Sequence, residues 1–208
     1  MISAADALER LREGNRRFVS NEANHDPISN RGHQAGMASG QYPFAIVLAC
    51  SDSRVPTELI FDQGIGDLFV IRVAGNIVAP SQIGSIEFAA EQFGTRLVLV
   101  LGHSHCGAVI ATLDELVLKE SHRSPNLRAI VDRVRPAVEP LLEEHKGLTD
   151  DQILNMAIRA NVLASVEQLQ HGSLIIEDLI KKNELQVVGA EYSIEKGTVE
   201  FWPAPGAL

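Results

Sequence analysis

The sequence predicts an α/β fold: a mainly parallel four- to five-stranded sheet flanked by helices, with an N-terminal helical arm and an antiparallel C-terminal edge strand. Three observations predict it. Four short runs rich in Val, Ile and Leu (44–49, 68–73, 97–101 and 185–190) lack clean polar alternation, the pattern of parallel strands buried on both faces. Helical periodicities lie between them, and strands alternating with helices build βαβ units. Glu195-Lys196-Gly197 reads as a hairpin turn that brings 198–202 back as an antiparallel edge strand.

Each element has its own local reason. Ser3 followed by Asp6 resembles a capping box, and Leu8, Leu11 and Phe18 recur at roughly helical spacing, so 4–18 reads as an amphipathic helix. Residues 20–42 are polar and turn-rich, with Pro27, Gly32, Gly36 and Gly40; they read as an arm or extended connection, with room for a helix turn around 32–38. After the first strand, Pro56 suits a first helical position and Gly64 would end that short helix. In 81–93, Ile83, Ile86, Ala90 and Phe93 share one face, and 107–118 follows the third strand closely. Two longer helices are expected over 125–146 and 150–171. The second opens on a capping box, Thr149 with Gln152, and carries Ile153, Met156, Leu163, Val166 and Leu169 on its apolar face.

Bulk composition narrows the function classes. A chain of 208 residues reads as one domain over 1–208, and 45% hydrophobic with 22% charged residues is ordinary globular composition. A formal net charge of −9 with scattered basic residues leaves no basic face, so no nucleic-acid partner is expected. No run is apolar long enough to span a bilayer, and the polar start lacks the plan of a signal peptide, so a cytoplasmic protein with no membrane partner is expected. In a reducing compartment the two cysteines, Cys50 and Cys106, read as ligands or reactive thiols rather than a disulfide.

Two fragments carry chemistry: Cys50-Ser51-Asp52-Ser53-Arg54 after the first strand, and His103-Ser104-His105-Cys106-Gly107 after the third. Ligands of an open parallel sheet gather at the carboxyl ends of its strands, so both fragments should meet at one edge. Thiolate and imidazole suit Zn²⁺, and Cys50, His103 and Cys106 would leave a fourth position for water. Cys106 lies near a helix start, which favours its thiolate. Two thiolates and a neutral imidazole make the site formally neutral and a weaker Lewis acid than a three-histidine site, so activity should rise with pH through the mildly alkaline range. A bidentate Arg54–Asp52 pair would hold the carboxylate off the metal as an acceptor for the water proton; without it, Asp52 could become the fourth ligand. His105 reads as packing or solvent-facing, and His25, His33, His122, His145 and His171 as surface residues.

Cys-x-Asp-x-Arg followed by His-x-x-Cys resembles the β-class carbonic anhydrases. Gln41-Tyr42-Pro43, Phe69-Val70-Ile71-Arg72, Gly84-Ser85-Ile86-Glu87-Phe88 and 102–107 extend the likeness. The resemblance implies one Zn²⁺ per chain on Cys50, His103 and Cys106, and reversible hydration of carbon dioxide to bicarbonate and a proton. It implies that Asp52 and Arg54 orient the attacking hydroxide, that Gln41 donates to bicarbonate from a neighbouring subunit, that Phe69 and Phe88 line the apolar pocket, and that the Gly107 backbone lies close to substrate. It further implies a homodimer able to pair into a homotetramer, with 1–40 packing on the partner subunit, which suits a detached amphipathic helix. One branch of the family carries a bicarbonate-regulated site of Trp, Arg and Tyr; Arg72 and Tyr192 match it, but Val47 stands at the Trp position, so that site is not expected. Plant-like members place Tyr and Val where this chain has Phe88 and Ala74.

Other readings stay open on the residues alone. The same nucleophile could hydrolyse carbonyl sulfide or carbon disulfide. Cys50 and Cys106 could serve as a metal-free redox dithiol. A closed zinc could be structural, although closed sites usually use four Cys or His ligands.

Overall fold

The structure, a computed structural model, describes residues 2–23, 38, 40–118, 124–144 and 147–202. Helix α1 (Ala4–Ser20) is capped by Ser3, whose hydroxyl oxygen accepts the Asp6 N–H. Strand β1 (Ala45–Ala49) is followed by a single helical turn, α2 (Thr57–Ile60), and by β2 (Leu68–Arg72). A short 3₁₀ turn (Ala74–Asn76) leads into α3 (Pro80–Gln92), then β3 (Leu97–His103) and α4 (Gly107–Leu118). The long helices α5 (Pro125–Glu144) and α6 (Asp150–His171) precede α7 (Leu174–Lys181), β4 (Gln186–Tyr192) and β5 (Val199–Trp202). The capping box at Thr149 and Gln152 is formed in both directions.

The sheet order is β2-β1-β3-β4-β5, parallel throughout except for the antiparallel β4–β5 pair. This is the expected architecture. The last pair is closed by a turn in which the Gly197 N–H donates to the Ser193 carbonyl at 2.8 Å. Alternate residues of the central strands feed two cores. Val47, Leu99, Leu101 and Val188 face α1, while Ile46, Leu48, Val98, Val100 and Val187 face α3, α6 and α7. Because both faces are covered, β1 and β3 are buried along their whole length, which is why their sequences do not alternate.

Several expectations are corrected. Strand β2 is not buried on both faces: after Leu68 its residues are partly or fully exposed, because it lies at the sheet edge. The turn α2 ends before Gly64, at Phe61 and the left-handed Asp62 (φ 47°). Helix α1 is not detached. Its Ala7 and Leu11 enter the core of its own chain, and Gly14 lies so close to the Phe61 carbonyl that no Cβ would fit. An amphipathic stripe of that size has an apolar sheet face within its own chain to cover, and it covers it. Helix α7, capped by the Ser173 hydroxyl, and the 74–76 turn have no counterpart in the sequence reading. The helix turn expected around 32–38, and His25, His33, His122 and His145, lie outside the described residues, apart from residue 38.

Candidate metal centre

The site forms where two neighbouring parallel strands end. Ala49 pairs with Leu101, so Cys50, the next residue after β1, comes level with the end of β3, whose last residue is His103. The chain then turns through Ser104 and His105, the latter in the left-handed region (φ 54°), and enters α4 immediately after Cys106. That turn lets two ligands three residues apart face one point.

The ligand atoms of Cys50, His103 and Cys106 all lie within 4.8 Å of one another, and all three residues are buried. A tetrahedral zinc needs donor separations of about 3.5–3.8 Å, so small movements complete the cage. The donor set fits the metal on a second ground. His103 Nδ1 lies 2.9 Å from the Ser104 carbonyl, which can only accept; the ring proton is therefore on Nδ1 and Nε2 presents a lone pair. That Nε2 is buried and has no hydrogen-bond partner among the described residues, an expensive arrangement unless the atom serves as a ligand.

The two thiols differ. Cys50 is pulled down to about 4, chiefly by the Cys106 thiol beside it; burial opposes this, and His103 and the backbone N–H groups of Gly75 and Asp52 assist. Cys106 is pushed up, first by that same contact and then by burial, although the N–H groups of Val109 and Ala108 at the start of α4 work the other way. A divalent cation bound between the two sulfurs would displace the protons they carry. Burial disfavours a charged His103, but the adjacent Cys50 thiolate and the Ser104 carbonyl outweigh it and raise its pKa.

Asp52 and Arg54 form the expected bidentate pair. Arg54 Nε donates to Asp52 Oδ1 at 2.9 Å and Nη2 to Oδ2 at 2.8 Å, while the Arg54 backbone N–H also reaches Oδ1 at 2.9 Å. These bonds hold the Asp52 carboxyl far below the usual carboxylate range. Its Oδ2 stands 4.0 Å from His103 Nε2, so the carboxylate borders the ligand cluster without joining it. Arg54 Nη2 also reaches the His105 carbonyl at 3.4 Å, linking the two fragments.

The supporting groups are those that sequence reasoning missed. Arg72, noted in the sequence only as part of the family likeness and of the regulatory set, donates to the carbonyls of Cys50 and Asp52 and clamps the 50–54 loop. Glu195 accepts from the Ser104 and Ser193 hydroxyls at 2.9 Å each and meets His105 Nε2 at 2.7 Å, tying the ligand turn to the β4–β5 hairpin. His105 is thus solvent-facing and paired with Glu195, not a member of the ligand cluster. Val47 is buried in the core beneath the sheet and Tyr192 packs in that same core. Phe69 and Phe88 do meet, with ring centroids 6.3 Å apart, and both contact Phe93; they pack against the α3 side, whereas Cys50 and Cys106 belong to the cluster with α4, α5 and α6. Gln41 is exposed before β1, and a Cβ at Gly107 would meet nothing within 4 Å.

A family model described as carbonic anhydrase matches residues 45–199, a span that contains all of these groups except Gln41. The chain belongs to the β-class carbonic anhydrases. It is an enzyme that hydrates carbon dioxide. Carbonic anhydrase 2 of Mycobacterium tuberculosis is 38% identical over 194 residues, covering 92% of this chain and 89% of that protein. The solved β-carbonic anhydrase CcaA superposes with a TM-score of 0.75 at 29% identity, covering 95% of this chain and 96% of that one. A chain from the crystal structures of two tetrameric β-carbonic anhydrases of Sordaria macrospora shares the fold, with a TM-score of 0.74 at 23% identity over 94% of this chain and 96% of that one. Among the described residues of this carbonic anhydrase, no helix is long and apolar enough to cross a membrane.

Proposed function

We propose that Cys50, His103 and Cys106 hold one Zn²⁺ per chain and that Asp52 and Arg54 govern the water that attacks carbon dioxide. The observation that carries this reading is the buried His103 Nε2, without a hydrogen-bond partner among the described residues and grouped with two cysteine sulfurs. When bound, zinc supplies the Lewis acidity that lets water give up a proton near neutral pH. Arg54 keeps Asp52 ionised and fixed, so the carboxylate accepts the hydrogen of the attacking water and orients its lone pair toward the substrate carbon. In this conformation Asp52 is an acceptor; released from Arg54, it would compete for the fourth metal position. A Cβ at Gly107 would meet nothing within 4 Å, which suits a substrate position beside Cys106.

The remaining roles depend on a second copy. Phe88 is 51% exposed and β2 lies at the sheet edge, so this apolar face suits burial against another subunit. In that arrangement Phe69 and Phe88 line the carbon dioxide pocket of the neighbouring site, and Gln41 donates to bicarbonate there. The N-terminal segment contributes through the face of α1 not used at home. The assembly is a homodimer that can pair into a tetramer. A cytoplasmic location suits two cysteines that must remain thiolates.

Metal analysis with stopped-flow carbon dioxide hydration tests the reading. Wild type should carry one zinc per chain and turn over; Cys106→Ser should lose both. Undiminished zinc in the variant, or hydration by metal-free protein, would overturn it.

A further inference from the structure

Helix α6 supplies no ligand and no member of the Asp52–Arg54 pair, yet it reaches the metal centre through two hydrogen bonds that share the Gly75 backbone. The Gly75 N–H donates to Cys50 Sγ at 3.3 Å. Gly75 sits in the left-handed region (φ 72°), and a Cβ there would come within 2.9 Å of the Ala108 Cβ, so only glycine brings its N–H to this sulfur without displacing α4. Glycine is also the residue with most freedom to turn that N–H elsewhere. Two side chains of α6 remove the freedom. Asn161 Nδ2 donates to the Gly75 carbonyl at 2.8 Å, and the Ser165 hydroxyl donates to the Asn76 carbonyl at 3.1 Å. They are one helical turn apart on one face, and only 3% and 4% exposed.

We propose that Asn161, seconded by Ser165, is a positioning residue for the metal centre: it locks the 74–76 turn so that the Gly75 N–H stays on the Cys50 sulfur. An N–H bond to a thiolate stabilises its negative charge and reduces the charge it donates to the metal. In a formally neutral site with two thiolates, that withdrawal leaves the metal more electron-poor and the sulfur fixed in direction. The role is to hold the geometry and donor strength of Cys50, and Asn161 itself touches neither metal nor substrate. The inference rests on the zinc reading above.

The test uses the full chain loaded with zinc, and again with cobalt(II), whose thiolate-to-metal charge-transfer band reports sulfur donation. Asn161→Leu keeps the branching of the side chain and removes the donor, Ser165→Ala removes the second anchor, and Asn161→Gln restores an amide. Thr95→Val, which removes a buried hydroxyl bonded to the Pro43 carbonyl at the amino ends of β1 and β3, away from the ligands, controls for loss of stability alone. We expect Asn161→Leu to lose zinc to a chelator about 10- to 100-fold more readily, with a shifted cobalt band. Ser165→Ala should change in the same direction by less, Asn161→Gln should recover part of the loss, and Thr95→Val should leave both readouts unmoved. If Asn161→Leu does not fold, Ser165→Ala carries the decision through the same two readouts. Unchanged retention and band in the decisive variant overturn the proposal, as does equal zinc loss from Thr95→Val. Wild-type protein that binds no zinc overturns the zinc reading and this inference together; zinc-replete wild type with unmoved variants overturns this inference alone.

Discussion

Three donors from one residue converge on Asp52: the Arg54 backbone N–H, Nε and Nη2. The consequence is a sign. A carboxyl whose folded-state pKa is depressed contributes its pairing above the ordinary carboxylate range and loses it only as the pH falls toward that depressed value. Asp52 therefore does not titrate between pH ~6.5 and 9, and the rise of kcat/KM over that range should come from proton loss by the attacking water. A flat stopped-flow profile across the interval would defeat this account. Arg54→Ala should cut kcat/KM by about 10- to 100-fold or more, since it frees the carboxylate to compete for the metal. Activity in that variant equal to wild type would remove Arg54 from the mechanism. The motif itself was legible because Cys-x-Asp-x-Arg is local, whereas its anchor Arg72 was not: the clamp spans strands β1 and β2 and leaves no trace in residue spacing.

Among the elements, α1 and the β4–β5 hairpin show how surface pieces are tied to the site. Asn15 sits at their junction, donating to the Ile60 and Gly197 carbonyls and accepting the Val199 N–H. Asn15→Ala removes the side-chain partner of these buried and part-buried backbone groups and should cost about 1–3 kcal/mol in denaturant unfolding. Leu11→Ala, which empties a fully buried position, should cost about 2–5 kcal/mol. If both are neutral, α1 does not pack on its own chain. Glu195 makes a pH-dependent tie. Its own backbone N–H and the Ser104 and Ser193 hydroxyls hold its carboxyl at about 2, below the usual 4.5. A depressed pKa stabilises the fold above 4.5 and loses that contribution as the pH falls toward about 2. Glu195→Gln should thus lower the urea midpoint at pH ~6, and the gap from wild type should narrow on acidification. A gap that widens would reverse the assignment. The periodicity of α6 and its capping box could be read directly, and the helix spans Asp150–His171 as expected; α7 was missed because eight residues after a chain reversal carry little periodic signal.

For the whole molecule, the exposed aromatic face on α3 and the β2 edge links assembly to activity. Phe88→Asp places a charge in the face where the neighbouring subunit is proposed to sit. It should lower the sedimentation-derived mass toward the monomer and reduce hydration in parallel, because Phe69 and Phe88 would then serve no site. A monomeric variant with full activity would show that each chain completes its own pocket.

The sequence by itself determined the alternation of strands and helices, the antiparallel ending and the donor types at two strand ends. Those are encoded in contiguous residues through hydrophobic period, turn chemistry and ligand spacing. The tertiary structure alone decided that α1 is anchored to its own sheet, that β2 is an exposed edge, and that Gly75, Asn161 and Glu195 stand behind the ligands. The reason is separation along the chain. The Asn161–Gly75 bond joins residues 86 apart and the Ser104–Glu195 bond residues 91 apart. Such pairings follow from how the helices pack on the sheet, and no local pattern announces them.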